Sequence, residues 1–474
     1  MKEEKSLSSP TARQTPGRSP LKTIIEKVTK ECTDCGLCRK ECGFLEKYGT
    51  PKEIVDRYDP GTKEGQVMPF ECSLCRLCDA VCPFGVEPSE MFLEMRRESV
   101  DRGAGSFPEH GGLLAYEGKG MSRRFTWYGL PEGCRTVLFP GCAMPGTRPA
   151  RTRELYEILR EQDQTIGIVF DCCGKISHDL GRERFFHAMF DEMRNYLMSQ
   201  GVREVLVVCP NCHDIFSRYG AGLNIRTVYE SLPKSIVSGA LKSHDIVIHD
   251  PCGVRFHTDT HATIRRLVGM TGVTSQEMDH AKERTLCCGS GAGVNVLSPE
   301  LADRWLERTR KEAGNCRIVT YCAGCAGRLS GKEPAVHALD VLCEPEAALA
   351  GKSKVSGAPF TYLNRLRIKH YFKKAVNTAV SRERTYAASE GKKKGWVVRL
   401  GILFGPFWGV IYTITSSTIG ACIAFIVFSS SLLDLVRGKI SATLIIGIAL
   451  IVLVSLIPLF YRRYQKKKGI EDPL

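Results

Sequence analysis

Short apolar runs separated by longer amphipathic segments dominate the middle of this chain. Five of these runs have the length and the β-branched or aromatic content of buried strands: residues 137–139, 166–170, 205–208, 246–249 and 318–321. The intervening segments have helical length and periodicity, as in residues 151–162, 182–198 and 299–313. Strands that alternate with helices predict parallel sheets covered by helices. We therefore predict two tandem α/β domains in this part of the chain.

Two much longer apolar segments lie near the C-terminus. Residues 400–433 and 440–460 contain no Asp, Glu, Lys, Arg or His. A membrane-spanning helix needs about 20 such residues, so each segment predicts one span. The surplus at residues 400–408 is expected at the level of the lipid headgroups. We predict a two-helix membrane hairpin at residues 400–461, and the alternative is a helical pair buried in a soluble core.

The net charge of +14 resides entirely in the C-terminal part of the chain. Residues 1–350 carry 46 Lys and Arg against 47 Asp and Glu, whereas residues 351–474 carry 20 against 5. Basic residues flank the hairpin on both sides, which by the positive-inside bias places both ends in the cytoplasm. The excess therefore indicates contact with anionic lipid of the bilayer and not with nucleic acid. We predict a two-pass protein of the inner (cytoplasmic) membrane, with both termini and the folded domains in the cytoplasm.

Cysteine usage adds chemistry to this outline. The chain has 22 cysteines in 474 residues. Disulfide scaffolds are usually short secreted chains, but no signal peptide is recognisable here, because residues 1–20 are rich in Ser, Thr and Pro and predict a disordered tail. Eighteen of the 22 cysteines fall instead into two kinds of metal-ligand pattern.

The first pattern is a C-x2-C-x2-C-x3-C run that occurs twice, with Pro83 behind the second run. This is the ligand spacing of a two-cluster bacterial-type ferredoxin, in which three cysteines of one run share a cluster with the fourth cysteine of the other. Paired C-x2-C knuckles also bind zinc, which is the alternative. The long insert at residues 43–71 predicts helices around the clusters. The metal sites predicted for two [4Fe-4S] cubane clusters are ferredoxin site one, with Cys32, Cys35, Cys38 and Cys82, and ferredoxin site two, with Cys72, Cys75, Cys78 and Cys42.

The second pattern is a set of five cysteines, also present twice, with a lone Cys, a Cys-Cys-Gly and a C-x2-C. Corresponding cysteines of the two sets are 110 to 115 residues apart, and such a near-constant offset indicates one domain copied once. The first quintet is Cys142, Cys172, Cys173, Cys209 and Cys212, and the second quintet is Cys252, Cys287, Cys288, Cys322 and Cys325.

The predicted strands can carry the thiols of each quintet to one place. Ligand groups collect at the carboxyl ends of the strands in a parallel sheet, so all five thiols of a copy can converge on one edge. Five thiolates are more than one cubane needs, and two adjacent cysteines do not readily reach the same iron. They can instead ligate different irons of an open or split cluster.

This quintet pattern resembles the cysteine-rich CCG domains of heterodisulfide reductase. The chain looks most like the D-type subunit of that enzyme, in which a two-cluster ferredoxin is fused to two such domains. The same architecture occurs in one of the subunits of anaerobic glycerol-3-phosphate dehydrogenase and in the iron-sulfur subunit of glycolate oxidase. The resemblance covers roughly residues 25–345 and leaves out the hairpin. It implies that the ten cysteines of the quintets bind up to two non-cubane [4Fe-4S] clusters.

The predicted fold class is α+β multidomain. It comprises a helical two-cluster ferredoxin domain, two tandem α/β CCG domains and a C-terminal two-helix membrane hairpin. The predicted boundaries are 1–20 for the disordered tail, 21–100 for the ferredoxin domain, 130–240 and 241–350 for the first and second CCG domains, 351–399 for a basic linker, 400–461 for the hairpin and 462–474 for a basic cytoplasmic tail.

Other residues near these motifs have structural explanations. Three glycines after the second Cys-Cys pair have the wrong spacing for a dinucleotide fingerprint, and a close approach of backbone to a cluster is expected there: Gly289, Gly291 and Gly293. Four cysteines belong to neither pattern and are expected to be buried free thiols: Cys134, Cys316, Cys343 and Cys422.

The remaining candidates concern proton transfer and further cofactors. Asp171, His213 and His249 adjoin ligand cysteines and could move protons, although a hydrogen-bonded or exposed structural role is the simpler interpretation. No His follows His370, so a haem in the hairpin would lack its usual ligand. We expect no haem and, because no flavin or nucleotide fingerprint is recognisable, no flavin of the chain's own.

Three hypotheses follow. The first is a membrane-anchored electron-transfer subunit of an anaerobic-type oxidoreductase complex, which carries electrons between a flavoprotein dehydrogenase or electron-transfer flavoprotein and the membrane quinone. The second is an enzyme in its own right, a reductase that cleaves a small heterodisulfide of the CoM-S-S-CoB type with the non-cubane clusters and with catalytic residues that are unknown. The third is a structural zinc scaffold that tethers partners to the membrane.

Overall fold

A computed structural model describes residues 20–237, 245–331 and 335–387. Residues 20–120 form eight α-helices and contain no strand, so the insert between the two cysteine runs is helical, as predicted. These helices are α1 (Pro20–Glu31), α2 (Leu37–Glu41), α3 (Gly43–Tyr48), α4 (Pro51–Arg57), α5 (Lys63–Val67), α6 (Leu77–Ala80), α7 (Pro88–Asp101) and α8 (Gly111–Gly120).

Local sequence signals explain how these short helices begin and pack. At α4, the Thr50 side chain accepts a hydrogen bond from the Glu53 N–H, and the Glu53 carboxylate accepts one from the Thr50 N–H at 2.8 Å. This capping box satisfies two amide groups that have no partner inside the helix. The rings of Phe44 and Phe92 then pack edge to face with centroids 5.0 Å apart. Such contacts join α3 to α7 without a sheet.

Ten strands lie in the part of the chain that the structure describes, and they form two sheets. The first sheet has the order β10-β1-β3-β2-β4-β5, in which β1 is antiparallel to both neighbours and the others run parallel. The second sheet has the order β7-β6-β8-β9 and is wholly parallel. The strands are β1 (Trp127–Leu130), β2 (Thr136–Phe139), β3 (Gly167–Phe170), β4 (Glu204–Val207), β5 (Asn224–Thr227), β6 (Asp245–His249), β7 (Thr274–Gln276), β8 (Arg317–Thr320), β9 (Val336–His337) and β10 (Val380–Arg382).

Helices connect these strands and cover both sheets, which gives the α/β architecture that the alternating pattern predicts. They are α9 (Met144–Thr147), α10 (Pro149–Gln162), α11 (Lys175–Asp179), α12 (Glu183–Ser199), α13 (Pro210–Tyr219), α14 (Thr258–Gly269), α15 (Val294–Leu297), α16 (Pro299–Ala313), α17 (Ala323–Leu329), α18 (Ala338–Cys343), α19 (Pro345–Leu349) and α20 (Phe360–Ala375).

We expected a basic linker at residues 351–399, but the described part of this segment, residues 351–387, contains a helix and a strand. Its helix α20 packs against α9 and α10 of the first copy. Its strand β10 then pairs with β1, with Val380 opposite Leu130. The chain therefore returns to complete the first sheet after it has built the second.

One hydrophobic core joins the two α/β copies. Leu138 and Ile168 of the first sheet share it with Ile248 and Val319 of the second, and all four are at most 1% exposed. The opposite faces of the sheets have separate cores, and each includes cysteines of its own quintet. Cysteines of each quintet therefore border a core of their own copy.

Several predictions concern residues outside the described part. These are the predicted disordered tail up to residue 19, the membrane hairpin at 400–461 and the basic tail at 462–474. Within the described ranges, no helix has the length and apolar character that crossing a bilayer requires.

Candidate iron-sulfur sites

Ferredoxin site one lies at the surface of the helical domain. Its thiols line a single cavity, and one of them, that of Cys35, is exposed. The loop takes left-handed backbone conformations at Asp34 (φ 58°) and Gly36 (φ 72°), and so curls around the cavity before α2 begins. Burial raises the pKa of Cys38 to about 12, and the charges of nearby thiolates add to this effect. The thiols that line the cavity as a group are Cys32, Cys35, Cys38 and Cys82.

Ferredoxin site two is enclosed. Its four thiols interact with one another. Burial raises the pKa of Cys42, Cys72 and Cys78, whereas a hydrogen bond with the Cys287 thiol, followed by burial, raises the pKa of Cys75. The loop repeats the left-handed backbone, at Leu74 (φ 49°) and Arg76 (φ 64°), where the first loop has Asp34 and Gly36. Non-glycine residues held in this conformation are typical of ligand-binding loops. The thiols are Cys72, Cys75 and Cys78, with Cys42 from the other run, so each site combines three thiols of one run with the fourth of the other.

Two buried arginines connect ferredoxin site two to the α/β copies through hydrogen bonds. Arg96 donates hydrogen bonds to main-chain oxygens of Cys72, Asp179 (2.6 Å) and Ala292 (3.1 Å). Arg255 donates to main-chain oxygens of Cys75 and Thr285, both at 2.8 Å.

In the described part of the chain, neither guanidinium donates to a carboxylate. Burial lowers the pKa of Arg96 only to about 10, so it remains a cation at neutral pH. A buried charge is expected to have a counter-charge. Cys72 beside Arg96 and Cys75 beside Arg255 would supply one as thiolates if they bound an iron-sulfur cluster.

The second quintet gathers at the carboxyl edge of the second sheet. The Sγ atoms of Cys325 and Cys288 are 3.4 Å apart. Further thiol hydrogen bonds link Cys288 to Cys287 and Cys325 to Cys322. Cys252 follows β6 and lies close enough to Cys287 and Cys288 for their charges to raise its pKa, after burial, which is the larger cause. All five thiols of this quintet are therefore neighbours.

The first quintet gathers at the corresponding edge of the first sheet. Hydrogen bonds link its thiols in series, from Cys142 to Cys172, Cys173, Cys212 and Cys209. Glycines leave room beside these sulfurs. A Cβ at Gly141 would stand 3.0 Å from the Cys212 Sγ, and one at Gly120 would stand 3.4 Å from the Cys142 Sγ.

A buried cation with a spare hydrogen-bond donor borders the first quintet. The Arg365 side chain is 6% exposed, and its Nη1 has no hydrogen-bond partner among the described residues. Its charge lowers the pKa of Cys142 and of Cys172, although hydrogen bonding between these thiols is the larger influence on both. The guanidinium also lies over the rings of Tyr116 and Phe125. A donor without a partner beside two thiols fits an anionic sulfur-bound group at this position.

The four groups of thiols form one continuous series. Cys78 of ferredoxin site two lines the cavity of site one. Cys75 of site two is hydrogen-bonded to Cys287 of the second quintet. Cys322 of the second quintet is hydrogen-bonded to Cys209 of the first. The order in space is therefore site one, site two, second quintet and first quintet.

The donor set of all four groups fits iron-sulfur clusters. Within the described ranges, no group of three or more His, Cys, Asp or Glu is arranged to hold one metal ion. Thiolate sulfur is the ligand that such clusters use.

The three residues that could move protons have different surroundings. Asp171 forms a fully buried ion pair with Arg384 at 2.6 Å and accepts a hydrogen bond from the Cys172 N–H at 2.7 Å, which is a structural role. His213 packs against His257 with ring centroids 4.2 Å apart, and burial lowers its pKa to about 3. His249 is buried without a hydrogen-bond partner in the described structure.

The glycines after the second Cys-Cys pair serve close packing of protein on protein. A Cβ at Gly289 would stand 2.5 Å from the Ala302 carbonyl oxygen, and one at Gly291 would stand 2.5 Å from that of Ser73 in the ferredoxin loop. Cys134 is buried, with its thiol 3.3 Å from the Thr136 carbonyl oxygen. Cys316 and Cys343 are partly buried against hydrophobic cores, and Cys422 lies outside the described residues.

Comparison with known domain families agrees with this division. The profile of the 4Fe-4S dicluster domain matches residues 28–86. The profile of the cysteine-rich domain matches twice, at residues 136–217 and 246–330. The first implies two cubane clusters, and domains of the second kind bind iron-sulfur clusters.

Whole-chain relatives are distant. A subunit of the fumarate reductase (CoM/CoB) of Methanothermobacter marburgensis is 23% identical over 63% of this chain and 67% of its own length. The EtfAB:quinone oxidoreductase of Syntrophomonas wolfei is 25% identical over 49% of this chain, which spans only 37% of that protein. The D-type subunit of the dihydromethanophenazine:CoB–CoM heterodisulfide reductase of Methanosarcina barkeri is 25% identical over 66% of this chain and 91% of its own length.

Buried arginines such as Arg96, Arg255 and Arg365 were not predicted as part of these sites, because no sequence pattern distinguishes them from surface arginines. The cysteine spacing, the domain profiles and the relatives agree on the remainder. The chain therefore combines one 4Fe-4S dicluster domain with two cysteine-rich domains, is a distant homologue of the D-type subunit of heterodisulfide reductase, and is an iron-sulfur electron-transfer subunit of an oxidoreductase.

Proposed function

We propose that this chain is a membrane-anchored subunit that carries electrons between a flavoprotein and the membrane quinone. The observation that supports it most is the continuous series of thiol groups, which runs from the exposed Cys35 to the buried first quintet. All 18 cysteines of the two patterns would hold clusters, two cubane and up to two non-cubane. Bound clusters would supply one-electron transfer. The protein would hold them in the spatial order of the thiol groups and would keep water from ferredoxin site two and from both quintets.

The surface around ferredoxin site one suits a protein partner. Beside the exposed Cys35, the side chains of Leu37 and Phe84 are 43% and 51% exposed. Large apolar side chains that stand at the surface beside a redox site favour docking of another protein. A flavoprotein dehydrogenase or electron-transfer flavoprotein is the partner we propose here, since the chain has no recognisable flavin site.

The other end of the series is tied to the segment that precedes the predicted hairpin. Arg384 forms its ion pair with Asp171, the residue before Cys172 of the first quintet. The first apolar segment begins 16 residues later in the sequence. This connection supports exchange with quinone at the end of the series that holds the first quintet.

The test uses the full chain, loaded with iron and sulfide, in lipid nanodiscs. We expect about 16 iron atoms per chain, reduction by a reduced electron-transfer flavoprotein, and reoxidation by a short-chain quinone followed by visible absorbance. Iron content near zero, with zinc in its place, or failure of quinone to reoxidise the reduced chain, would refute the proposal. Oxidation of an organic substrate by the chain without a flavoprotein would also refute it.

Two surface variants sharpen this test without touching a ligand. Leu37→Glu and Phe84→Glu should slow reduction by the flavoprotein and leave reduction by dithionite unchanged, because dithionite needs no docking surface. Val355→Glu is the matched control, since Val355 is an apolar side chain of similar exposure (52%) outside the ferredoxin domain. Equal effects of all three substitutions would contradict docking at site one.

A second candidate function is reduction of a small heterodisulfide. The observation that favours it is an internal chamber of about 130 Å³ lined by Cys252, Lys175 and Asn211, where the ferredoxin loop meets both α/β copies. Cys252 of the second quintet thus lines a space that, in this candidate function, would take the disulfide. Turnover of mixed disulfides by the loaded chain with reduced viologen would establish this activity, and its absence would leave electron transfer alone.

A further inference from the structure

A row of three buried polar side chains crosses the second sheet next to the second quintet. In the strand register, His249 of β6 lies beside Thr320 of β8, and Thr320 lies beside His337 of β9. Residues in register on parallel strands point to the same face. Their exposed fractions are 1%, 0% and 0%. We call these three residues the polar row.

Two members of the polar row have no hydrogen-bond partner within the described ranges. Both ring nitrogens of His249 and the Thr320 Oγ1 are without one. His337 has partners, since its Nδ1 accepts a hydrogen bond from the Leu339 N–H at 3.3 Å and its ring also bonds to the Tyr321 main chain. Buried polar groups in folded proteins nearly always have partners, so His249 and Thr320 indicate a bound group that satisfies them.

The polar row faces the side of the sheet that carries the second quintet. Val247 and Ile318 precede His249 and Thr320 by two positions and therefore share their face. Both pack in the core that contains Cys288, Cys322 and Cys325. Thr320 also precedes Cys322 by two positions. The unpartnered atoms consequently lie on the face from which the thiols extend.

The first copy has no such row. The corresponding residues in register are Phe139, Val207 and Thr227 on β2, β4 and β5. Phe139 packs edge to face on Phe216 with centroids 5.0 Å apart, and Val207 lies in the same core. The Thr227 hydroxyl donates to the Glu230 carboxylate at 2.6 Å and is therefore satisfied.

We propose that the polar row donates hydrogen bonds to sulfur atoms of the iron-sulfur group in the second quintet, and thereby makes this site easier to reduce than the first quintet. The inference rests on the proposed occupation of both quintets by iron-sulfur groups. The reaction is the gain of one electron from an added reductant, with no bond made or broken. Hydrogen bonds to cluster sulfurs stabilise the more negative, reduced state and raise the reduction potential.

The chemistry of the row suits donation. Burial lowers the pKa of His249 to about 4, so its ring is neutral at pH 7 and offers one N–H. The Thr320 hydroxyl rotates freely to direct its hydrogen. Neither group brings a net charge, so any effect on the potential comes from hydrogen bonding.

The test exchanges residues between the two copies in the loaded full chain. Thr320→Val introduces the residue type of Val207 in the first copy, which removes the hydroxyl and keeps the shape of the side chain. His249→Phe introduces the residue type of Phe139, which removes the ring nitrogens and keeps an aromatic ring. We expect each substitution to lower the reduced-to-oxidised ratio of the second quintet about tenfold at a fixed potential, which is about 59 mV for one electron. The measurement is a dithionite titration followed by electron paramagnetic resonance.

The reciprocal variant in the first copy is the matched control. Val207→Thr should raise the potential of the first quintet and leave that of the second unchanged. The signals are assigned with chains that lack one Cys-Cys pair, Cys172→Ser/Cys173→Ser or Cys287→Ser/Cys288→Ser. An unchanged potential in Thr320→Val, with iron content retained, would overturn the inference.

The outcomes separate this inference from the proposed function. If the loaded chain fails to exchange electrons with quinone but Thr320→Val lowers the potential, the inference holds and the proposed function fails. If quinone exchange is intact and both potentials are unmoved by Thr320→Val and Val207→Thr, the inference alone fails. If His249→Phe loses iron, Thr320→Val decides, because it removes a single hydroxyl. If the full chain shows no paramagnetic signal that disappears in the Cys287→Ser/Cys288→Ser chain, the second quintet holds no cluster. That result would refute both the inference and the proposed function.

Discussion

The two quintets occupy corresponding positions in two copies of one domain, but their neighbours differ. The second quintet touches the ferredoxin domain through Cys75 and Arg255, and lies above a polar row. The first quintet touches no ferredoxin thiol in the described structure. It is bordered by Arg365 of α20 and by the Asp171–Arg384 pair, and it lies above apolar side chains. The two copies therefore offer similar sets of thiols, but their surroundings differ. The second quintet lies inside the series of thiol groups, and the first quintet lies at its end.

The largest expected effect comes from removing one quintet at a time. Without Cys287 and Cys288, the chain should lose about four irons, and electrons from a flavoprotein should no longer reach the first quintet, because the series is interrupted in the middle. Without Cys172 and Cys173, the second quintet should still be reduced. Iron analysis and electron paramagnetic resonance check both. Reduction of the first quintet in the chain without Cys287 and Cys288 would contradict the serial order.

Loss of the buried ion pair should lower the free energy of unfolding by different amounts in the two copies. Arg384→Met leaves the fully buried Asp171 without its cation, so the free energy of unfolding should fall by about 3–5 kcal/mol. Arg265→Met is the matched change in the second copy. It should cost less, because Arg265 is 16% exposed, so that its removal opens a path for water to Asp250, whereas Arg384 is fully buried. Urea unfolding of both variants checks this, and equal losses would mean that depth of burial does not set the difference.

The two Cys-Cys-Gly glycines test the packing of each copy. Gly174 and Gly289 have φ of +78° and +85°, so an alanine at either costs about 1–2 kcal/mol from its left-handed backbone. At Gly289 the new Cβ would also meet the Ala302 carbonyl oxygen at 2.5 Å, whereas at Gly174 the nearest atom is a Phe186 ring carbon at 3.1 Å. Gly289→Ala should therefore lose about 1–3 kcal/mol more than Gly174→Ala in the free energy of unfolding. Urea unfolding measures both, and the opposite order would contradict the packing described.

A pH-dependent effect concerns a buried acid near the first quintet. Burial, reinforced by the charge of Cys172, raises the pKa of Glu117 to about 8. The folded chain then keeps a proton that the unfolded chain releases near pH 4.3. This contribution to stability is complete below about pH 4.3 and declines by up to about 1.4 kcal/mol per pH unit as the pH rises toward 8.

Glu117→Gln should remove this slope. Urea unfolding between pH 5 and 8 measures it, with Glu132→Gln as the control because Glu132 is exposed. A slope that persists in Glu117→Gln would assign the pH dependence to other groups.

Sequence predicted the fold where local pattern and spacing carry the information. All five predicted strands lie in the sheets, because continuous β-branched runs are buried in parallel sheets whatever their partners. Strands β7 and β9, of three and two residues, have no such run. Strand β10 forms because β1 offers it an edge some 250 residues away in the chain, and pairing at that distance leaves no local pattern.

The same limit applies to the sites. Cysteine spacing divided the thiols into four groups, and the structure gathers the members of each. The contacts between groups, Cys75 with Cys287 and Cys209 with Cys322, depend on how domains pack. The polar row depends on strand register, and His337 lies on a strand too short to predict.

The main-chain partners of Arg96 and Arg255 have a consequence for maturation. Both cations bridge the ferredoxin domain to the α/β copies, and both lack a carboxylate partner in the described structure. In our proposal, the anionic clusters supply the missing counter-charge. Cofactor insertion would then stabilise the closed domain interface, so that the two processes are thermodynamically linked.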